Sequence, residues 1–336
     1  MLAQAIKDFP KQFAFKPTIE NKGGLKSAAK FVVCGMGGSN HATDVLKAWK
    51  PELDIVVHRD YGLPVLSDLN NRLIIICSYS GNTEETIDAF NTAKENNLSV
   101  AVIAKGGKLI DLAKEHNVPY IVLPDTGIQP RSAIGFMFMS LMKLMGDEAD
   151  LQKSSALASI LKPDRTEGTG RALAKKLTGR VPVIYSSSRN FAVANNWKVK
   201  FTENTKIPAF MNVLPELNHH EMNGFSAQGG SLPDGWRGAS GGDVSTRRML
   251  LEKFHFIFLR DDEDNPRVIK RMAVLQKMYA DRGLPVEVVN LSGQSRLEKI
   301  FTSLLLADWT SLALAEIYGI DPEPVPMVEE FKKLIV

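Results

Sequence analysis

Cysteine is almost absent from this chain, with two in 336 residues, Cys34 and Cys77. They form no metal-ligand spacing and each closes an apolar run, so they read as small buried residues in a reducing cytoplasm. A surplus of one charge is missing too. A formal net charge of +3 is too small to mark a nucleic-acid-binding surface, though it suits an anionic metabolite. Long apolar runs are lacking: the greasiest stretch, 133–145, contains Ser140 and Lys143 and is too short to span a bilayer, which points to a helix buried on all sides. Residues 1–15 carry charges throughout, without a signal-peptide core. There is no P-loop lysine, no G-x-G-x-x-G turn and no H-E-x-x-H pair, so neither a nucleotide nor a metal site is expected.

What the sequence does have is alternation. Apolar segments of strand length at 31–34, 54–58, 73–77, 100–104 and 120–123 are separated by helical patterns at 42–49, 84–96 and 109–116. Such alternation predicts a parallel, doubly wound sheet. In its commonest order, 2-1-3-4-5, strands one and three lie side by side, and ligands bind in the crevice where their connections part. After a polar, alanine-rich connector at 151–162 a second α/β unit follows. It has strands at 181–185, 207–213, 254–259 and 286–290, and a helix with Phe191, Ala194, Trp197 and Phe201 on one face. A long apolar helix at 298–318 belongs to a core or to a subunit interface. The fold class is therefore α/β: two doubly wound, flavodoxin-like parallel-sheet domains in tandem. The turn 260–271 reads as charged and solvated, and the glycine- and serine-rich 226–245 as a mobile loop, either lid or insert.

Two loops sit at the predicted crevice of the first half. Strand three runs into Ser78-Tyr79-Ser80-Gly81-Asn82-Thr83-Glu84-Glu85-Thr86 and then a helix. Hydroxyls, a glycine and the free N–H groups of a helix start offer what a phosphate oxygen needs: short donors and positive potential. Taken alone the stretch serves equally as an N-cap, with Thr83 and Thr86 capping and Glu84 and Glu85 complementing the dipole. Strand one runs into Gly35-Met36-Gly37-Gly38-Ser39, where glycines permit close approach of a ligand to backbone or simply a tight turn. Two such loops at one crevice favour phosphate binding by Gly38, Ser39, Ser78, Ser80 and Thr83. Arg131, just before the apolar helix, is a fixed cation suited to a phosphate, to a developing oxyanion or to a surface salt bridge. In the second half, Ser186-Ser187-Ser188-Arg189-Asn190 repeats the hydroxyl turn. Glu203 lies off the apolar stripe as a helix-end carboxylate, and the adjacent His219 and His220 have no metal spacing.

From about residue 31 to the end, these motifs resemble, in order, the sugar isomerase (SIS) domain and the bifunctional phosphoglucose/phosphomannose isomerases. The resemblance is carried by both loops, by Pro130-Arg131-Ser132-Ala133, and by Trp197-Lys198-x-Lys200-Phe201-x-Glu203-Asn204. Glu216-Leu217-Asn218-His219-His220-Glu221 and Gly319-x-Asp321-Pro322-x-Pro324-Val325 complete it; His220 stands where the family has asparagine. It implies SIS domains at 27–150 and 163–318 and a functional tail at 319–336, while residues 1–26, broken at Pro10 and Pro17, read by their own pattern as an amphipathic lead-in packing outside the first domain. It also implies that Glu203 is the catalytic base. His219 would open the sugar ring with a C-terminal lysine, Lys332 or the adjacent Lys333, and Arg131 would hold the enediolate. The reaction implied is metal-independent, cofactor-free isomerisation of glucose 6-phosphate and mannose 6-phosphate to fructose 6-phosphate through a cis-enediol. The expected partners are the sugar phosphate and a second subunit whose histidine completes the site, with no nucleic acid and no membrane. A non-catalytic sugar-phosphate-sensing SIS module would keep the Ser78 loop but would not need Glu203, His219 or the lysine. An amidotransferase-type isomerase domain would lean on an appended glutaminase.

Overall fold

Strands that are apolar end to end need cover on both faces, and the computed structural model supplies it. It describes residues 1–226 and 251–335. The chain divides into two units, Met1–Pro163 with Arg296–Glu298, and Asp164–Ser295 with Lys299–Val336.

In unit 1, β1 (Lys30–Gly35), β2 (Asp54–His58), β3 (Leu73–Ser78), β4 (Ser99–Ala104) and β5 (Tyr120–Val122) form one parallel sheet of order β2-β1-β3-β4-β5, as the alternation predicts. Gly35 pairs with Cys77, so β1 and β3 end side by side and their loops emerge together. Side chains alternate across each strand. Val32, Cys34, Ile74 and Ile76 therefore share a core with Ala89 and Phe90 of α3 (Glu84–Glu95) and Leu109 of α4 (Gly107–Glu115). On the other layer α5 (Ile134–Met145) packs against α2 (Gly38–Trp49) and is buried almost throughout, as its apolar run predicts. Burial pushes the Cys34 thiol up to about 12 and raises that of Cys77.

The lead-in is not peripheral. After α1 (Leu2–Asp8) a 3-10 turn, Phe9–Ala14, buries Phe13 completely. Gln12 Nε2 donates to Ser132 O at 2.7 Å, and its Oε1 accepts from Gly135 N at 2.9 Å and Phe136 N at 3.3 Å. Helix α5 has no cap of its own because Ala133 stands at its N-cap position. Its unsatisfied N–H groups need an acceptor from elsewhere, and Gln12 provides it. The connector is helical, as α6 (Glu148–Ser155) and α7 (Leu157–Ile160), with Leu157 and Leu161 buried.

Unit 2 begins with α8 (Asp164–Leu177), then β6 (Val181–Ser187), α9 (Phe191–Lys200), β7 (Phe210–Leu214), β8 (Phe254–Arg260), α10 (Pro266–Ala280) and β9 (Val286–Asn290). The sheet is again parallel, in the order β7-β6-β8-β9. Tyr185, Phe256, Phe258 and Tyr279 cluster in its core. The long helix α11 (Arg296–Tyr318) is long and apolar enough to cross a membrane, but 83% of its apolar window is buried, as in a core helix. Polar side chains tie it to α9 and the turn after it: Trp197 Nε1 donates to Ser303 Oγ at 3.0 Å and Asn204 Nδ2 to Ser311 Oγ at 2.8 Å, while Lys200 Nζ lies 2.7 Å from Asp308 in a buried ion pair. Phe191, placed on the apolar face by its spacing, sits in the first turn of α9 and is 43% exposed. Helix α12 (Pro326–Leu334) has no buried residue. Beyond Ser226, the glycine-rich stretch read as a mobile loop lies outside the described residues.

Candidate functional site

The two loops of unit 1 are locked to each other. Ser39 Oγ, in the first turn of α2, accepts from Tyr79 N at 2.9 Å, joining the β1 loop to the β3 loop. Gly38 lies against the Arg131 turn so closely that a Cβ there would sit 2.9 Å from Arg131 N and 3.0 Å from the Pro130 carbonyl carbon. Gly38, Ser39, the Ser78–Thr83 turn and Arg131 are thus brought to one rim of the sheet, the crevice between β1 and β3 where open α/β sheets take ligands. Arg131 is 1% exposed, so it is not a surface salt bridge. Its position follows from Gln12, which holds the adjoining helix start from a distant part of the chain.

The hydroxyls of the second loop are not spent as helix caps. Thr83 occupies the N-cap position of α3, yet its side chain makes no cap bond; Thr83 Oγ1 shares a 2.8 Å hydrogen bond with Ser78 Oγ. Ser78 Oγ also accepts from Gly81 N at 3.1 Å, and Ser80 Oγ from Asn82 N at 3.2 Å. Ser78 is buried, whereas Ser80 is exposed and Thr83 half-buried. The buried serine therefore shapes the turn from below while the other two hydroxyls are open to a ligand. Thr86 Oγ1 is turned inward to Thr83 O at 2.8 Å. A second glycine turn was missed from sequence: Gly81 and Gly107 interlock, both at positive φ, with Gly81 O accepting from Leu109 N at 2.9 Å and Asn82 Oδ1 from Lys108 N at 2.9 Å. The Gly106-Gly107 pair after β4 was the available signal.

The corresponding crevice of unit 2 is occupied by the protein itself. The hydroxyl turn after β6 recurs, but Ser187 Oγ donates to Asp264 Oδ1 at 2.7 Å, and Asn190 Nδ2 to the same oxygen at 3.2 Å. Asp261 and Asp264, in the loop after β8, are buried while Asp262 and Glu263 between them are exposed, so the charged turn is solvated as expected except at these two carboxylates. Lys299 Nζ offsets part of this charge, 3.1 Å from Asp261 and 3.0 Å from Glu263 and paired also with Asp262, and Arg189 lies 3.4 Å from Asp261 and 3.0 Å from Glu263. Carboxylates of the protein thus fill the hydrogen-bonding groups of this turn.

Glu203 sits where α9 widens into a π-helical turn, Phe201–Thr205, a rare distortion found mostly at functional sites. Its neighbours Phe201, Asn204 and Thr205 are buried and it is itself half-buried, not a fully solvated helix end. Nothing in the 3.6-residue pattern signals the widening. The turn Glu216–His219 follows β7 and leaves His219 exposed. His220 Nε2 lies 3.5 Å from exposed Glu216. Glu221 is committed elsewhere: its Oε1 accepts from Tyr185 OH at 2.6 Å and its Oε2 from Asn212 Nδ2. Desolvation raises the pKa of Tyr185 well above the phenol range, so that phenol remains a donor. Lys332, on α12, is exposed and pairs with Glu329 at 3.1 Å; Lys333 is exposed beside it. Among the described residues no group of His, Cys, Asp and Glu is arranged to hold a metal ion.

Residues 166–335 match the family described as the bacterial phospho-glucose isomerase C-terminal SIS domain. The bifunctional phosphoglucose/phosphomannose isomerase of Aquifex aeolicus is 31% identical over 98% of this chain and 97% of its own length. That of Caldicellulosiruptor bescii is 32% identical over 90% of this chain and 88% of its own. In three dimensions the chain is similar to the C-terminal domain of glucosamine-fructose-6-phosphate aminotransferase from Francisella tularensis, with a TM-score of 0.66, 12% identity, and coverage of 96% and 98% of the two chains. At that identity the likeness speaks for the fold alone.

Proposed function

This chain belongs to the bifunctional phosphoglucose/phosphomannose isomerase family, and on that premise we propose that it interconverts glucose 6-phosphate and mannose 6-phosphate with fructose 6-phosphate. It is a sugar-phosphate isomerase. The two aldoses and the ketose share one cis-enediol, so a base that returns the proton to either face of C2 serves both. The observation that carries the reading is the Ser78–Thr83 turn, whose Thr83 hydroxyl is left uncapped and linked to Ser78 at the β1–β3 crevice.

The phosphate binds to Ser80, Thr83 and the backbone about Gly38 and Ser39, with Ser78 holding Thr83 in place. His219 and Lys332 move the protons that open the ring. The Glu203 carboxylate then takes the proton from C2, and the electron pair moves onto the carbonyl oxygen. The enediolate becomes the ketose when the C2 hydroxyl proton passes to O1 and the proton on Glu203 is delivered to C1, which leaves the carbonyl at C2. Arg131 stabilises the oxyanion, an effect worth as much as or more than proton transfer itself. No step calls for a metal or an organic cofactor. The free, buried thiols of Cys34 and Cys77 suit a reducing cytoplasm.

The assay is fructose 6-phosphate formation from each aldose phosphate by a coupled reaction. A charge-assisted hydrogen bond is worth about 1.5–3 kcal/mol, so Ser80→Ala and Thr83→Ala are each expected to raise KM by roughly tenfold or more. An unchanged KM in both single variants and in the double one would place the phosphate elsewhere. A sensing module would bind both sugars and turn over neither.

The active form is a homodimer in which His219 of one subunit serves the site of the other. Mixed Glu203→Gln and His219→Ala subunits are then expected to regain activity after exchange. Full activity in a monomer, or no recovery in proven hybrids, argues against sharing.

A further inference from the structure

Lys206 closes the π-helical turn that carries Glu203, and it does so in the left-handed region at φ 53°. Side chains avoid that conformation, and glycine takes it freely. Strained backbone of this kind persists only where its surroundings over-determine it. Here the ammonium is the reason. Lys206 Nζ donates to Glu203 O at 2.7 Å, to Asp321 O at 3.0 Å and to Pro322 O at 3.1 Å. The acceptors come from two places, the turn bearing Glu203 and the root of the C-terminal tail. From Gly319 onward no described residue of that tail is buried, and α12 buries none of its apolar side chains within unit 2. Its course is therefore set at the root, where Asp321 and Pro322 sit.

We propose that Lys206 is a positioning residue that couples the segment carrying Glu203 to the tail carrying Lys332. One side chain thereby sets both the base and the tail ammonium. This rests on the assignment of Glu203 and the tail lysine above. Lysine suits the task because an ammonium donates three ways and can meet three carbonyls together. A methionine would keep the bulk and lose every donor.

The decisive variant is Lys206→Gly, which removes the ammonium while relieving the backbone. It should fold and melt close to the wild type. Amide exchange over residues 319–335 should quicken by about tenfold or more as the tail loosens. Misplacement of catalytic groups by about 1 Å costs up to roughly 10²-fold, so kcat should fall by at least about tenfold while KM stays within about twofold. Lys206→Met should behave alike, and Lys206→Arg should restore part of kcat and of the tail protection. A Lys206→Gly enzyme with wild-type turnover, or one that loses kcat with the tail as protected as before, overturns the coupling. Glu203→Gln measured in parallel separates the two ideas. Wild-type turnover there removes the assigned base, whereas an inactive Glu203→Gln beside a fully active Lys206→Gly removes the coupling alone.

Discussion

Replacement of Glu203 by glutamine is expected to abolish isomerisation and, to the same extent, exchange of the C2 proton with solvent deuterium. General-base catalysis contributes about 10²–10⁴-fold, and the amide has no lone pair basic enough to replace it. Because the amide is nearly isosteric and the turn proposed to bind the phosphate lies in another part of the chain, KM should move by no more than about twofold, the signature of an interaction made only in the transition state. His219→Ala should behave differently. It should be slow on the closed ring yet partly rescued by an open-chain analogue, because ring opening breaks no C–H bond. The structure narrows the alternatives should Glu203→Gln still exchange the C2 proton at the wild-type rate. Glu221 is held by Tyr185 and Asn212 and is poorly placed to serve, which leaves exposed Glu216 as the next carboxylate to test.

The second large effect is expected at Gly81, in the turn proposed to bind the phosphate. A Cβ there would lie 1.7 Å from Gly106 O and 2.8 Å from the Gly106 carbonyl carbon, and φ is +76°. Neither contact is with a flexible side chain that could swing aside, so the backbone of one turn or the other must move. A clash of this kind together with a left-handed φ belongs among the severe substitutions, and Gly81→Ala should lose about 3–5 kcal/mol of stability. For a unit of this size that is a fall in Tm of roughly 10 °C. The turn's own bonds, Gly81 N to Ser78 Oγ and Leu109 N to Gly81 O, go with it, so sugar-phosphate binding should weaken even below the new Tm. A Gly81→Ala protein with unaltered Tm and KM would mean that the two glycine turns do not interlock in solution.

The architecture of the chain was largely legible because hydrophobic period and turn chemistry are local properties. Continuous apolar strands at 31–34 and 73–77 can be satisfied only by cover on both faces, and that requirement leads to a parallel sheet and to the crevice at its switch point. The hydroxyl turn after β3 was readable for the same reason. In the structure Thr83 at the N-cap position directs its hydroxyl to Ser78 rather than to the helix, so its side chain does not serve as the cap. Local pattern misjudged residues whose partners are distant. The lead-in read as peripheral because nothing in 1–26 reveals that Gln12 will cap a helix beginning more than a hundred residues later. The burial of Asp261 and Asp264 within the otherwise solvated turn was not readable because Ser187, Asn190 and Lys299, which pair with them, arrive from other elements.

Sequence by itself determined the two parallel-sheet halves, the hydroxyl-rich turn after β3 and the motifs that carry the family. All depend on spacing within a strand, a turn or a helix. Tertiary structure alone decided that the hydroxyl turn of the second half is bonded to Asp264, that the turn bearing Glu203 widens into a π-helix, and that Lys206 joins it to the tail. Those outcomes rest on hydrogen bonds between groups far apart in the chain, which a buried donor or acceptor must find somewhere and which no local periodicity encodes.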